Sequence, residues 1–300
     1  MRSLIKPASL GLDHSALTIF GIMLPAIFLI AAMGSPSKKA ARSRKIGTAL
    51  ALLLLVVVLI NGCGGNPRGP TAAQPKIGKP VDLGSNNASG SGTVSMTTTA
   101  AAPAGGSIIV MAADQCARSC FLISLSCTDS AGNSYTTEVS QQLLDNGASS
   151  ICSSHHLAAA LPAGATITAT FNGVISPSGP GVVIRAIAVT GLASAPLDRT
   201  ASASSSGAAP SSGNAATTMV ADELLVGVIS TEPFIVANGS FTPGSGYTAL
   251  AGVDSLFGGE YSLFGEYKIV SATGVYAADG TLLGTNPPWV ALLATYKAAP

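Results

Sequence analysis

Four cysteines lie close together near the middle of this 300-residue chain, Cys116, Cys120, Cys127 and Cys152, and the last is followed by His155 and His156. Thiolates and imidazoles are zinc ligands, yet zinc sites usually set two ligands on one turn through C-x2-C or H-x3-H spacing. The C-x3-C-x6-C run matches neither. An even number of cysteines in an exported domain points to two disulfides instead. Of the three pairings open to four cysteines, Cys116 with Cys120 would close an edge loop and Cys127 with Cys152 would tie neighbouring strands. Adjacent strand residues face opposite ways, so one of His155 and His156 is expected to be exposed and the other packed. No metal and no cofactor is assigned.

Carboxylates offer a second chemistry. A glycosidase needs two of them roughly 5 to 9.5 Å apart across a cleft. Glu260 and Glu266 could share a strand face if "EYSLFGEYKIV" ran unbroken, with Asp254 as a further acid, but Gly265 and the Gly258-Gly259 pair interrupt it. Glu266 falls at the repeat position of His155, so the two halves described below share no acid site. The chain has no G-x-S-x-G elbow, no H-E-x-x-H and no phosphate loop. It reads as a protein that is not an enzyme, a glycan-active hydrolase being the alternative.

Aromatic rings supply the material for binding, because Trp and Tyr can stack on the apolar face of a sugar while hydrogen-bonding beside it. Trp289, Tyr247, Tyr261, Tyr267, Tyr276 and Phe257 all lie late in the chain. Trp289 follows "NPP" and is expected to open the last strand and pack in a core. Tyr247 and Tyr135 both follow Gly/Asn turns, the place of structural corner residues. Phe257 and Tyr261, in the glycine-flanked "SLFGGEYSLFG", are therefore the ligand-binding candidates.

The elements that must position these residues are strands. Beyond Cys63 the chain is rich in Gly, Ala, Ser and Thr, with β-branched runs separated by Gly, Pro, Asn and Asp, the punctuation of an all-β protein. In "TITATF" (166 to 171) apolar residues alternate with threonines, a half-buried strand. "SIIVMAA" and "VVIRAIAV" lack alternation and are expected to be covered on both faces. The same region carries eight Lys/Arg against thirteen Asp/Glu, a formal −5, which excludes the basic footprint of a nucleic-acid binder.

From Val81 onward the chain repeats itself. "VDLGSNNASGSG" and "PLDRTASASSSG" place Asp82 and Asp198 116 residues apart, and the same offset carries "SIIVMAAD" onto "ELLVGVIS". "SAGNSYTTEV" matches "TPGSGYTALA", "LPAGATITATFNG" parallels "TGVYAADGTLLG", and each half closes on an apolar strand. Five matches in one order point to an internal repeat, with halves 81–195 and 196–300. The expected architecture is a jelly-roll-like β-sandwich, as one large sandwich of two similar halves or as two in tandem.

The N-terminal part reads differently. Two apolar stretches, Ala16 to Met33 and Ala49 to Ile60, flank "SPSKKAARSRK", whose five cations should stay cytoplasmic. The second stretch is short for a membrane span but suits a signal h-region, and it ends in "LINGC". This resembles the lipobox of bacterial lipoproteins: Ile60 and Gly62 fit, Asn61 is larger and more polar than the pattern prefers, and Cys63 is the residue the resemblance assigns to lipidation. Residues 33–63 then form a lipoprotein signal beginning at Met33, with 1–32 an upstream extension. The alternative is two membrane helices with Cys63 incidental. Residues 64–80, with four Pro and four Gly, read as a tether.

The second half, through "ADELLVGV", "FTPGSGYTAL" and "EYKIVSATGVYAADGTL", together with "TDSAGNSYT" in the first, resembles a β-sandwich module of secreted and surface bacterial proteins and phage tail proteins. The resemblance implies a fold over residues 81–300 and no catalytic residues. Together these readings give the expectation of a protein anchored at the bacterial cell envelope, with its C-terminal region outside the cytoplasm. Its expected work is adhesion to or recognition of a glycan or surface protein, carbohydrate first, with a ligand-free structural component as the alternative.

Overall fold

The computed structural model describes residues 77–90, 92–115, 124–143, 147–172, 181–232, 241–255, 261–283 and 287–300. Cys63, Cys116, Cys120, Phe257, Glu260 and the segments 1–32, 33–63 and 64–76 lie outside the described residues. Among the described residues no helix is long and apolar enough to cross a membrane, and every regular element is a β-strand.

The first eight strands are β1 (Val81–Ser89), β2 (Thr93–Thr97), β3 (Ser107–Gln115), β4 (Ser124–Asp129), β5 (Thr136–Leu143), β6 (Gly147–Ser154), β7 (Thr166–Asn172) and β8 (Gly181–Val189). They form a sheet ordered β1-β8-β3-β6-β5 and a smaller one ordered β2-β7-β4, antiparallel throughout. The next eight are β9 (Leu192–Ser206), β10 (Asp222–Thr231), β11 (Phe241–Pro243), β12 (Thr248–Ala249), β13 (Val253–Asp254), β14 (Ser262–Ser271), β15 (Gly280–Leu282) and β16 (Pro288–Ala298). Their main sheet runs β12-β14-β10-β16-β9, with β13 also on β14, and β11 pairs with β15. Reading β9, β16, β10, β14 and β12 for β1, β8, β3, β6 and β5, the two main sheets have the same order.

The apolar patterns explain the stacking. Every residue of β3 and β8 is buried, because both faces of these strands are covered. Ile108, Val110 and Ala112 point to the β2-β7-β4 sheet and meet Val94, Met96, Ile167 and Phe171. Ile109, Met111 and Ala113 point the other way, to Leu224, Val226, Val228, Leu292 and Tyr296 of the second main sheet. The far side of that sheet is covered in turn: Leu225 and Leu293 pack with Ala215 and Ala278, and Ile229, Phe264 and Trp289 pack with Leu282 and Phe241. Four layers result, the two main sheets inside. β8 packs on β14 and β6 on β16, each contact the counterpart of the other when the halves are exchanged, as in an isologous dimer interface. Strand β7 alternates as its sequence does, with Ile167, Ala169 and Phe171 inward and its threonines outward.

The registers correct the repeat. Ile108 pairs with Ala188 and Val110 with Cys152, while Leu225 pairs with Thr295 and Gly227 with Glu266. Ile108 and Leu225 both face their own outer layer, which excludes an even offset, and Cys152 and Glu266 each pair with the residue two after a corner tyrosine, Thr137 and Ala249, which sets their partners Val110 and Gly227 117 apart rather than 116. A shift of one residue exchanges the faces of a strand. Glu266 accordingly stands at the position of Cys152, not of His155.

The segment read as a tether gives up its last residues to the fold. Ile77 is buried in the cluster between the main sheets, and Gly78 N–H donates to Thr190 O at 2.9 Å.

Candidate functional site

Cys127 on β4 and Cys152 on β6 face each other across the first sandwich with Cα atoms 6.5 Å apart and are joined as a disulfide. These two thiols are therefore spent on a cross-link. His155 leans inward and His156 is exposed, the latter with φ 50°. Ser153 Oγ donates to Glu138 Oε1, and His155 Nε2 lies 2.7 Å from that hydroxyl and 3.2 Å from that carboxylate oxygen. A serine, a histidine and a glutamate thus meet, with the imidazole 5.5 Å from the Tyr296 ring. A hydrolytic triad uses the two ring nitrogens for different partners, whereas here both partners share Nε2 and Nδ1 has none. Ser153 is also buried. Among the described residues no group of three or more His, Cys, Asp or Glu could hold a metal ion.

Among the described carboxylates, Asp254 and Glu266 do not converge on a cleft, and Glu260 lies outside the described residues. Glu266 is completely buried, with backbone groups of Gly244 and Asp279 close enough to favour its charged form against the burial. Burial pushes its pKa up to about 8, and the charge of Asp279 adds to the rise. Its space comes from Gly227, where a Cβ would stand 2.7 Å from Glu266 Cγ and from Ala278 Cβ. Asp254 accepts from Ser262 Oγ at 2.7 Å and pairs with Ser262 in the ladder. Ser262 precedes Glu266 by four strand positions, about 13 Å along the chain, so the spacing of a glycosidase pair is not met by these two acids.

Three acids that the sequence reading left out share the character of Glu266. Asp114 is buried without a hydrogen-bond partner, and burial raises its pKa to about 7. Glu223 is also fully buried and raised to about 7, first by burial and then by Asp198 beside it. The side chain of Asp198 is itself almost wholly covered and accepts from Met219 N–H at 2.7 Å. The legible signal was Glu223 and Asp114 at the ends of otherwise apolar central strands.

Tyr261, expected to be an exposed binding residue, is instead completely buried between the main sheets. It immediately precedes β14 and packs with that strand's core residues. Its hydroxyl lies 3.1 Å from Ser230 Oγ, which in turn contacts Ser149 Oγ, and burial pushes its pKa up to about 12. Tyr267, Tyr296 and Trp289 are buried too. Tyr135 and Tyr247 are half-buried corner residues, donating to Asp129 Oδ2 at 3.0 Å and to Ala277 O at 2.8 Å. Tyr276 donates to Ala272 O at 2.7 Å.

What the first half offers to solvent is a field of hydroxyls. On β2 the outward residues are Thr93, Ser95 and Thr97, on β7 Thr166, Thr168 and Thr170, and on β4 Ser124, Ser126 and Thr128. The register aligns them in rows, Thr93–Thr170–Ser126 and Ser95–Thr168–Thr128. Thr93 Oγ1 donates to Thr170 Oγ1 at 3.2 Å and Ser95 Oγ lies 2.8 Å from Thr168 Oγ1. These positions carry neither charge nor ring, so the face exchanges hydrogen bonds with neutral partners and water. It is the candidate binding surface. Comparison with known proteins adds nothing to this: no protein-family model, no curated protein and no solved structure matches the chain.

Proposed function

We propose that this chain is a membrane-anchored extracytoplasmic β-sandwich protein of the bacterial envelope, used for adhesion or recognition, with a neutral carbohydrate as ligand class. The anchor reading rests on the lipobox-like "LINGC" and its cationic flank. The jelly-roll reading rests on the strand order β1-β8-β3-β6-β5 over β2-β7-β4, in which consecutive strands change sheet except at β5, which pairs beside β6. The observation that carries the ligand class is the uncharged hydroxyl face of β2, β7 and β4. Each hydrogen bond exchanged with water gains only about 1 kcal/mol, so such a face suits an extended polymer that engages several rows together.

Burial of Tyr261, Tyr267, Trp289 and Tyr296 favours a second reading, a structural component without a ligand, because the remaining described Tyr and Phe rings are buried or half-buried and none is fully exposed to stack on a sugar. Pull-down of the full chain on insoluble envelope polysaccharides separates the two. Binding that is lost on Thr168→Lys, with thermal stability within about 0.5 kcal/mol of the parent, supports recognition. Absence of binding to every polysaccharide tried leaves the structural reading.

A further inference from the structure

Six large apolar side chains are exposed among the described residues: Val81, Met219, Val220, Ile269, Val275 and Leu283. Scattered exposure of this kind needs no explanation, whereas clustering does, and five of the six lie at one end of the molecule. Strand β8 finishes at Val189 and β9 starts at Leu192 opposite Ala298, so both main sheets end together at this turn. Val81 opens β1 there, paired with Ala188. Asp222 pairs with Ser271 at the same end of the second sheet, which puts Met219 and Val220 just beyond it and Ile269 just inside. Thr218 N–H donates to Gly274 O at 2.9 Å, which brings Val275 beside them. Leu283 alone is at the opposite end, where Gly207 N–H donates to Pro287 O.

The described chain also begins at this end. Gly78 is held to Thr190 and Ala299 to Gly191 by backbone hydrogen bonds, and Val220, Asp222, Ala298 and Pro300 line one shallow depression. Only thirteen residues separate Cys63 from Ile77. Thirteen residues can span at most about 50 Å, and central strands of nine to eleven residues are about 30–37 Å long. The chain that runs back to Cys63 therefore leaves the module at its apolar end. Met219, the most exposed of the six at 66%, stands on a turn, a shape that can enter a lipid headgroup layer without unfolding any strand. Lys79, exposed at the same end, adds attraction to anionic headgroups.

We infer that this end, with Met219, Val220, Val275, Ile269 and Val81, is a membrane-docking face that seats the module on the lipid bilayer holding its anchor. The inference rests on the anchored reading above. It sets the module upright, strands along the membrane normal, with the hydroxyl rows of β2, β7 and β4 on its side.

The test uses the full chain in vesicles of phosphatidylethanolamine and phosphatidylglycerol, part of the lipid brominated in its acyl chains. Met219→Trp is compared with Leu283→Trp, and the parent, whose single tryptophan Trp289 is buried, supplies the background. The expected result is that M219W loses most of its added emission to the brominated lipid while L283W keeps its own. Equal quenching of the two, or quenching of neither in a chain that floats with the vesicles, overturns the docking face and leaves the anchor standing. A blue-shifted M219W emission that depends on protein concentration and not on bromine assigns the face to a second copy and also overturns it. A chain that fails to float sinks the anchored reading, and the docking face falls with it.

Discussion

The two halves of the molecule put different chemistry at one equivalent point. In the first sandwich Val110 sits opposite Cys152, which is bonded to Cys127. In the second, Gly227 sits opposite Glu266, which is buried and, among the described residues, has no oppositely charged group paired with it in a salt bridge. Side-chain volume has moved across the ladder: the larger residue is on the central strand in one half and on its neighbour in the other. The consequences differ in kind. A cross-link constrains the unfolded chain and is indifferent to pH, whereas a buried carboxyl ties the stability of its half to proton concentration. The same framework accepts both because apolar packing on either side, not the residue at this point, defines the layers.

Breaking the cross-link is expected to have the largest effect. With its ends at a sequence separation of 25, the disulfide should contribute about 3–4 kcal/mol by the chain-entropy argument. Cys127→Ala/Cys152→Ala should melt well below the parent, and a melting curve that reducing agent leaves unmoved would contradict the assignment.

Next comes the pH response of the second half. Glu266 holds its proton up to about pH 8 in the folded state, against 4.5 for the ordinary group. The unfolded chain releases that proton first, so stability falls as pH rises from about 4.5 and the loss is complete only beyond 8. Allowing for relaxation around the charge, it should amount to roughly 2–3 kcal/mol. Asp114 and Glu223, each raised to about 7, act in the same direction below neutrality. Denaturant titrations of Glu266→Gln should therefore lose the slope between pH 7 and 8 while keeping much of it between 5 and 7. An unchanged slope above pH 7 would refute the role given to Glu266.

The volume exchange predicts a smaller, coupled effect. Gly227→Ala drives a methyl group against Glu266 and Ala278 and should cost about 2 kcal/mol. Because Glu266 supplies half of the clash, part of that cost should vanish in a Glu266→Ala background, and strict additivity would count against it.

The corner tyrosines give the finest comparison. Tyr135 donates to a carboxylate and Tyr247 to a carbonyl, and hydrogen bonds to charged groups are the stronger kind. Tyr135→Phe should cost about 2 kcal/mol and Tyr247→Phe about 1 kcal/mol, with Tyr261→Phe near the latter. Chemical denaturation orders the three, and a larger loss from Tyr247→Phe than from Tyr135→Phe would reverse the argument.

Much of this could be read from residue order alone. The alternation in "TITATF" and its absence in "SIIVMAA" announced which strands have one wet face and which have none, since a side chain's environment on a strand follows a period of two. The pairing of Cys127 with Cys152 was one of three open to four cysteines, but the bond joins the two sheets of the first sandwich rather than neighbouring strands of one sheet. Tyr261 was misread because the glycines before it suggested a loop that the core cluster ends one residue earlier. The repeat was legible through its turns, whose Gly, Asp and Tyr chemistry is local, but its strand register was off by one, since turns absorb insertions that strands do not.

The sequence by itself determined the class of fold, the strands covered on both faces, the corner tyrosines and the hydroxyl character of β2, β4 and β7, because each follows from local periodicity or turn chemistry. Tertiary structure alone decided that the two main sheets stack face to face, that Glu266 answers to Cys152, that Asp114, Glu223 and Glu266 are buried, and that five exposed apolar residues from three stretches of chain meet at the end where the described chain begins. Those facts depend on which distant segments pack together, and packing between layers leaves no period in the order of residues along the chain.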